Sequence, residues 1–203
     1  MAEPVEQDFR GKYTRSNWLT RRVLDGFFRA VADLIERLEV RSALEVGCGE
    51  GFSTQRLRRM LPATVAFEAS DVEDRLVRAA AAANPNMPIR RESIYTLARP
   101  DQSVDLVLVL EVLEHLEDPS RALGEVCRVS RRWVLASVPR EPLWRLLNLA
   151  RLKYLTRLGN TPGHLHHWST AAFRRFMAQR GRVLGVRRPL PWTVVLMEVQ
   201  RNS

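Results

Sequence analysis

The stretch Ser42-Ala43-Leu44-Glu45-Val46-Gly47-Cys48-Gly49-Glu50-Gly51 constrains the fold of this chain more than any other. A short apolar strand runs into three alternate glycines, and helical spacing resumes from Ser53 to Leu61, stopping before Pro62. Such a turn brings a ligand against bare backbone, because glycine tolerates the strained dihedrals and its missing side chain leaves room. Glu45 narrows the class of ligand. Two residues before the first glycine, its carboxylate would repel a diphosphate but welcome an ammonium or sulfonium group. The spacing is also G-x-G-x-G, not the G-x-G-x-x-G of dinucleotide turns.

A ligand carrying a ribose wants an acidic acceptor near the end of the following strand. Asp71 stands 20 residues beyond Gly51, with Glu68 as the competitor three residues earlier. Asp71 is preferred because the strand should end at about Ala69; the other reading of Asp71 is a helix cap.

The alternation continues along the chain. Apolar residues from Leu19 to Leu38 recur at three-and-four spacing and predict an amphipathic helix over 16–38, with Ser16 or Asn17 as its cap. Strands are expected at 64–69, 89–92, 104–110 and 133–138, and helices at 72–83 and 119–129. A helix over 170–180 should end at Gly181. Strands 183–187 and 193–199 should then pair as an antiparallel hairpin around Pro189-Leu190-Pro191. Strands alternating with helices imply an α/β fold with a mainly parallel sheet covered on both faces. With 203 residues, one domain is expected: a helical segment at 1–39, a ligand-binding core at 40–139, an insertion at 140–168, and a closing helix and hairpin at 169–203.

Charge is unevenly spread. Residues 1–120 carry 16 basic and 20 acidic groups, whereas 121–203 carry 16 and 3, so the net charge of +9 belongs to the C-terminal part. That asymmetry points to a basic face toward an anionic substrate, a lipid headgroup surface or RNA. Cys48 and Cys127 are far apart, which argues against a disulfide framework and for a reducing cytoplasm. The first residues lack the pattern of a signal peptide, and no apolar run approaches the length of a membrane span.

Three ordered motifs, Leu44 to Gly51, Pro100 to Val107, and Leu110-Glu111-Val112-Leu113-Glu114-His115-Leu116-Glu117-Asp118-Pro119, resemble the class I, Rossmann-like methyltransferases that use S-adenosylmethionine. The resemblance is to the small-molecule branch that includes ubiquinone and menaquinone biosynthesis enzymes. It implies a doubly wound, seven-stranded sheet with a terminal reversed hairpin and S-adenosylmethionine lying across the strands' carboxyl ends. It further implies that Glu45, Gly47, Cys48, Gly49 and Gly51 line the methionine end of that cofactor, that Asp71 holds the ribose, that Ser93 and Ile94 flank the adenine, and that Glu111 lines the pocket near the amino acid part. Ser93 departs from the aspartate of many relatives, and a hydroxyl accepts a hydrogen bond more weakly than a carboxylate.

Methyl transfer is a direct displacement, so the protein mainly aligns the reactants, and a base is needed only for an acceptor that arrives protonated. His115, His164 and His167 are the candidate bases, because histidine titrates near neutrality. Glu114 is expected to be a solvated helix residue. Segment 140–168 is rich in leucine and arginine and is read as a helical lid, with a membrane-surface helix as the alternative. Tyr13, Trp144, His166 and Trp168 are expected to line the acceptor site. The loop spacing of His164, His166 and His167 is poor metal evidence, and no metal is expected. The expectation is thus a transferase acting on a small, lipophilic or anionic molecule. The rivals are a nucleic-acid methyltransferase and a cofactor-binding protein without catalysis. Against the former, residues 110–113 lack the Asn/Asp-Pro-Pro-aromatic turn that resembles amino-methylating nucleic-acid enzymes.

Overall fold

The computed structural model describes residues 18–143 and 165–201. The element order is α1 (Trp18–Ile35), β1 (Ser42–Val46), α2 (Phe52–Met60), β2 (Ala66–Asp71), α3 (Asp74–Ala83), β3 (Ile89–Arg91) and β4 (Val104–Leu110). A 3-10 turn (Leu113–His115), α4 (Pro119–Val129), β5 (Ser130–Pro139), α5 (Thr170–Ala178), β6 (Gly181–Arg187) and β7 (Trp192–Val199) follow. The seven strands form one sheet in the order β3-β2-β1-β4-β5-β7-β6. β1 to β5 are mutually parallel, and β7 runs antiparallel to both β5 and β6.

The sheet is central because its strands are apolar on both faces. All seven residues of β4 are buried. Val107 and Val109 face one core with α4 and α5, and Leu106, Leu108 and Leu110 face the other with α1 and α2. Val104 breaks this parity and joins the first core, which the register irregularity between Val104 and Leu106 accounts for. Asp105 pins the start of β4 to the start of β1: its Oδ2 accepts from the backbone N–H of Arg41 at 2.9 Å and of Ser42 at 3.0 Å. Two helix starts carry the caps their sequences offer, Asp118 accepting from the Arg121 N–H and Ser169 from that of Ala172.

Three expected boundaries shift for tertiary reasons. β2 extends to Asp71 instead of ending at Ala69, because Ser70 O accepts from the N–H groups of Gly47 and Cys48 and Asp71 pairs with Arg91 of β3. β5 lengthens to Ser130–Pro139 because Ser130 pairs with Val104 of β4 at its start and Pro139 with Trp192 of β7 at its end. Gly181 begins β6 and does not end α5; a Cβ there would lie 2.2 Å from Glu198 O, so the glycine permits close approach of two strands.

The strand order reverses between β1, which leads outward to β2 and β3, and β4, which leads to β5. Ligands of open α/β sheets bind at this switch point, outside the carboxyl ends of the strands. Among the described residues, no helix is long and apolar enough to cross a membrane.

Candidate functional site

The turn after β1 is built on left-handed backbone: φ is +78° at Gly47, +56° at Gly49 and +80° at Gly51. The three glycines serve different ends. A Cβ at Gly47 would lie 2.4 Å from Val112 Cγ2, and one at Gly51 would lie 2.5 Å from Asn84 Nδ2 and 3.0 Å from Ala80 Cα. Those two let β4's exit and α3 press against the turn. A Cβ at Gly49 would meet nothing within 4 Å, so that position opens outward and forms the bare-backbone cradle. Cys48 supplies backbone only; its side chain is buried, with Sγ toward Gly49 O at 3.8 Å, and burial raises the thiol far above its ordinary range.

Asp71 is not the cap of α3, a position taken by Glu73. Its Oδ2 accepts from Gly49 N–H at 2.8 Å and its Oδ1 from Glu73 N–H at 3.1 Å, which fixes the carboxylate beside the turn. Each oxygen keeps a further lone pair, so hydroxyls of a ligand can be added without breaking these bonds. Glu68, the competitor, is turned to Arg99 at 2.9 Å.

Glu45 is 1% exposed. Oε2 accepts from the Thr54 hydroxyl at 2.6 Å, while Oε1 is buried without a hydrogen-bond partner. Burial pushes its pKa up to about 7; Ser53 and Thr54 pull it down, and the charge of Asp71 adds to the rise. A buried carboxyl with an orphan oxygen is costly in isolation and calls for a positively charged or hydrogen-donating group from a ligand. The residues around the turn therefore fit a ligand with an ammonium and a hydroxylated sugar.

At the carboxyl end of β4, Glu111 has φ +60°, a rare conformation for a residue with a Cβ. Its N–H reaches Ser137 O at 3.2 Å, and the Ser137 hydroxyl donates to Glu111 Oε1 at 2.8 Å. Burial pushes its pKa up to about 8 against the hydrogen bonds of Ser137 and Trp192. Glu114, expected to be solvated, is 1% exposed, and neither carboxyl oxygen has a hydrogen-bond partner. Burial, and then the charge of Glu111, raises it well above the usual carboxylate range. The burial of Glu114 has a simple cause. Residues 113–115 form a single 3-10 turn packed under the segment that follows residue 164, whose Leu165 and His166 N–H groups both donate to Glu114 O, so the turn lacks the outer face of a surface helix.

The candidate bases and acceptor-lining residues divide. His115 is exposed at this edge, with Nε2 3.9 Å from Glu114 Oε1. His167 Nδ1 lies 3.4 Å from Glu141 Oε1, just beyond β5. His166 stacks on Trp168 at 5.3 Å between ring centroids. Trp168 itself packs on Phe173 and Phe176 of α5 and is partly buried against the core. Ser93 Oγ accepts from Tyr95 N–H at 3.3 Å after β3, and Ile94 is buried beside it. Tyr13, Trp144, His164 and most of the expected lid lie outside the described residues. Among the described residues, no cluster of three or more His, Cys, Asp or Glu side chains is arranged to hold a metal ion.

Sequence reasoning missed Asn84, Ser137 and Trp192. Asn84 Nδ2 donates to Gly51 O at 3.1 Å and so buttresses the turn from α3. No local pattern marks such residues, because each meets its partner only through the sheet.

Residues 44–133 match the family described as methyltransferase domain. A probable S-adenosylmethionine-dependent methyltransferase of Mycolicibacterium smegmatis is 33% identical over 98 residues, which are 48% of this chain and 37% of that protein. The mitochondrial ubiquinone biosynthesis O-methyltransferase of Schizosaccharomyces pombe is 29% identical over 121 residues, 57% of this chain and 44% of that one. The chain thus spans less than half the length of either relative. Among solved structures, a SAM-dependent methyltransferase from Aquifex aeolicus superposes with a TM-score of 0.71 at 15% identity, covering 94% of this chain and 98% of the other. The magnesium protoporphyrin IX methyltransferase of Synechocystis, solved with bound SAH, gives 0.64 at 18% identity, covering 92% and 89%.

Proposed function

We propose, from the premise that residues 44–133 belong to the S-adenosylmethionine-dependent methyltransferase family, that this chain moves a methyl group from S-adenosylmethionine to a small-molecule acceptor. The observation that carries this reading is the open, left-handed Gly49 held between two fixed carboxyls, Glu45 with an orphan oxygen and Asp71 with spare lone pairs.

In this reading Glu45 meets the cofactor's ammonium, the backbone at 47–51 lies against its methionine part, and Asp71 accepts from the ribose hydroxyls. Ser93 and Ile94 border the adenine. When bound, the cofactor supplies an activated methyl group whose transfer is a direct displacement. The chain's own contribution is then alignment and the exclusion of water. Proton removal from the acceptor, where needed, falls to His115 or His167, both at the carboxyl edge of the sheet; His164 is the third candidate.

An apolar acceptor is favoured by the rim of the site. Trp18 is 66% exposed, Leu165 56% and Leu190 59%. Leu165 N–H donates to Glu114 O, which sets this leucine at the carboxyl edge of the sheet, and Leu190 lies just before β7. An exposed leucine at the carboxyl edge of the sheet suits a lipophilic partner better than a nucleic acid, whose phosphates demand a cationic rim.

Isothermal titration with S-adenosylmethionine and S-adenosylhomocysteine tests the premise. Binding of both is expected, and binding of neither would remove the enzyme reading. Incubation with radiolabelled methyl donor and fractionated small-molecule and RNA extracts then tests the acceptor class: label should enter the organic-soluble fraction, and label confined to RNA would overturn the small-molecule reading.

A further inference from the structure

Arginine is abundant in this chain and it neutralises the structural carboxylates. Glu92 has Arg99 at 3.1 Å, Asp105 has Arg131 at 2.5 Å, Glu125 has Arg128 at 2.8 Å, and Glu198 has Arg182 at 2.8 Å. Glu111 and Glu114 are treated differently. Neither has an arginine or lysine within ion-pair distance among the described residues, although both sit at the mouth of β4 and Glu114 is fully buried. Around them stand Ser137 of β5, Trp192 of β7, His115 of the same turn, the backbone of Leu165 and His166, and, beyond β5, Glu141 with His167. His115 Nε2 lies 3.9 Å from Glu114 Oε1.

Glu114 is fully buried and Glu111 half-buried, and with no arginine or lysine beside them among the described residues, ionising both together is costly, so the free pair favours holding a proton. The strained backbone of Glu111 supports a functional reading, since such strain persists only where the surroundings over-determine it. We infer that Glu111 and Glu114 form a cation-recognition pair that releases a proton when the positive sulfur of the methyl donor binds, and thereby favours the donor over its neutral-sulfur product. This inference rests on the methyltransferase reading above. The exchange balances: one positive charge enters with the ligand and one leaves as the proton. After transfer the sulfur is neutral, the pair takes a proton back from solvent or from the acceptor, and its hold on the product weakens. The direction of the carboxyl shifts agrees, both lying well above the ordinary range.

The test is calorimetric titration of the whole chain at pH 7 with S-adenosylmethionine and with S-adenosylhomocysteine, each in phosphate and in Tris. The dependence of the observed heat on the buffer's ionisation heat counts protons. The two ligands share the ammonium that Glu45 would meet, so their difference isolates the sulfur charge. The donor is expected to release about one proton more than the product. Glu114→Gln should abolish that difference and lower the preference for donor over product by about tenfold, with Glu111→Gln as the second variant. Equal proton counts for two ligands that both bind would overturn the pair while leaving the methyltransferase reading intact. Failure of both ligands to bind would overturn both readings.

Discussion

Replacing Gly49 and Gly51 separately by alanine distinguishes a glycine that serves a ligand from one that serves the fold. Both have positive φ, +56° and +80°, so each alanine bears the left-handed penalty of about 1–2 kcal/mol. At Gly49 the new methyl group meets nothing within 4 Å, and the N–H to Asp71 is unaffected, so the cost should stop there. At Gly51 the methyl group would stand 2.5 Å from Asn84 Nδ2 and 3.0 Å from Ala80 Cα. Asn84 would have to leave Gly51 O, and α3 would have to back away, adding an overpacking cost of about 1–3 kcal/mol. Gly51→Ala should therefore lose roughly 2–5 kcal/mol in total. Urea denaturation read by circular dichroism measures the stabilities, and calorimetry with S-adenosylmethionine measures affinity in the same samples. Gly49→Ala should keep most of its stability and lose donor binding by more than tenfold, because its methyl group fills the cradle. Donor affinity equal to wild type in Gly49→Ala, or equal destabilisation by both substitutions, would refute the reasoning.

Three further outcomes are expected. Glu45, raised in the fold to about 7 from the ordinary 4.5, holds a proton that the unfolded chain gives up, so its contribution is fully present below pH 4.5 and is lost as pH rises through 7. Glu45→Gln should flatten the stability profile between pH 5 and 8 by on the order of 3 kcal/mol, measured by urea denaturation across that range, and a slope as steep as wild type would count against the burial argument. Asp71→Asn replaces one of two acceptor oxygens by a donor facing a backbone N–H, and should cost about 1–3 kcal/mol together with most of the donor affinity; unchanged calorimetric binding would contradict its role beside the turn. Asp105 is the structural counterpart: burial raises its carboxyl, but the Arg41 and Ser42 N–H groups and the Arg131 guanidinium outweigh that and hold it below the usual range. Its contribution should vanish as pH falls through that lowered value, and Asp105→Ala should cost roughly 2–4 kcal/mol in urea while donor affinity stays within twofold.

The local chemistry of the chain was enough to place the central elements. β1 at Ser42–Val46 and β4 at Val104–Leu110 stand where their apolar runs put them, and Pro119 with Asp118 marks the start of α4. These are decided by contacts within a few residues: an apolar run, a cap, a glycine that must take positive φ. Glu45 and the open turn were legible for the same reason. What only the tertiary structure decided is which face meets which. β7 inserts between β5 and β6, and from that follow the end of β5, the use of Gly181 and the arrival of Trp192 beside Glu111. The burial of Glu114 depends on Leu165 and His166 crossing over it from fifty residues away along the chain. A carboxyl's charge state depends on the dielectric and the charges around it in space. The sequence by itself thus determined where the backbone lies bare and open, and the fold alone decided which carboxyls stand near the sheet's carboxyl edge without an arginine or lysine among the described residues.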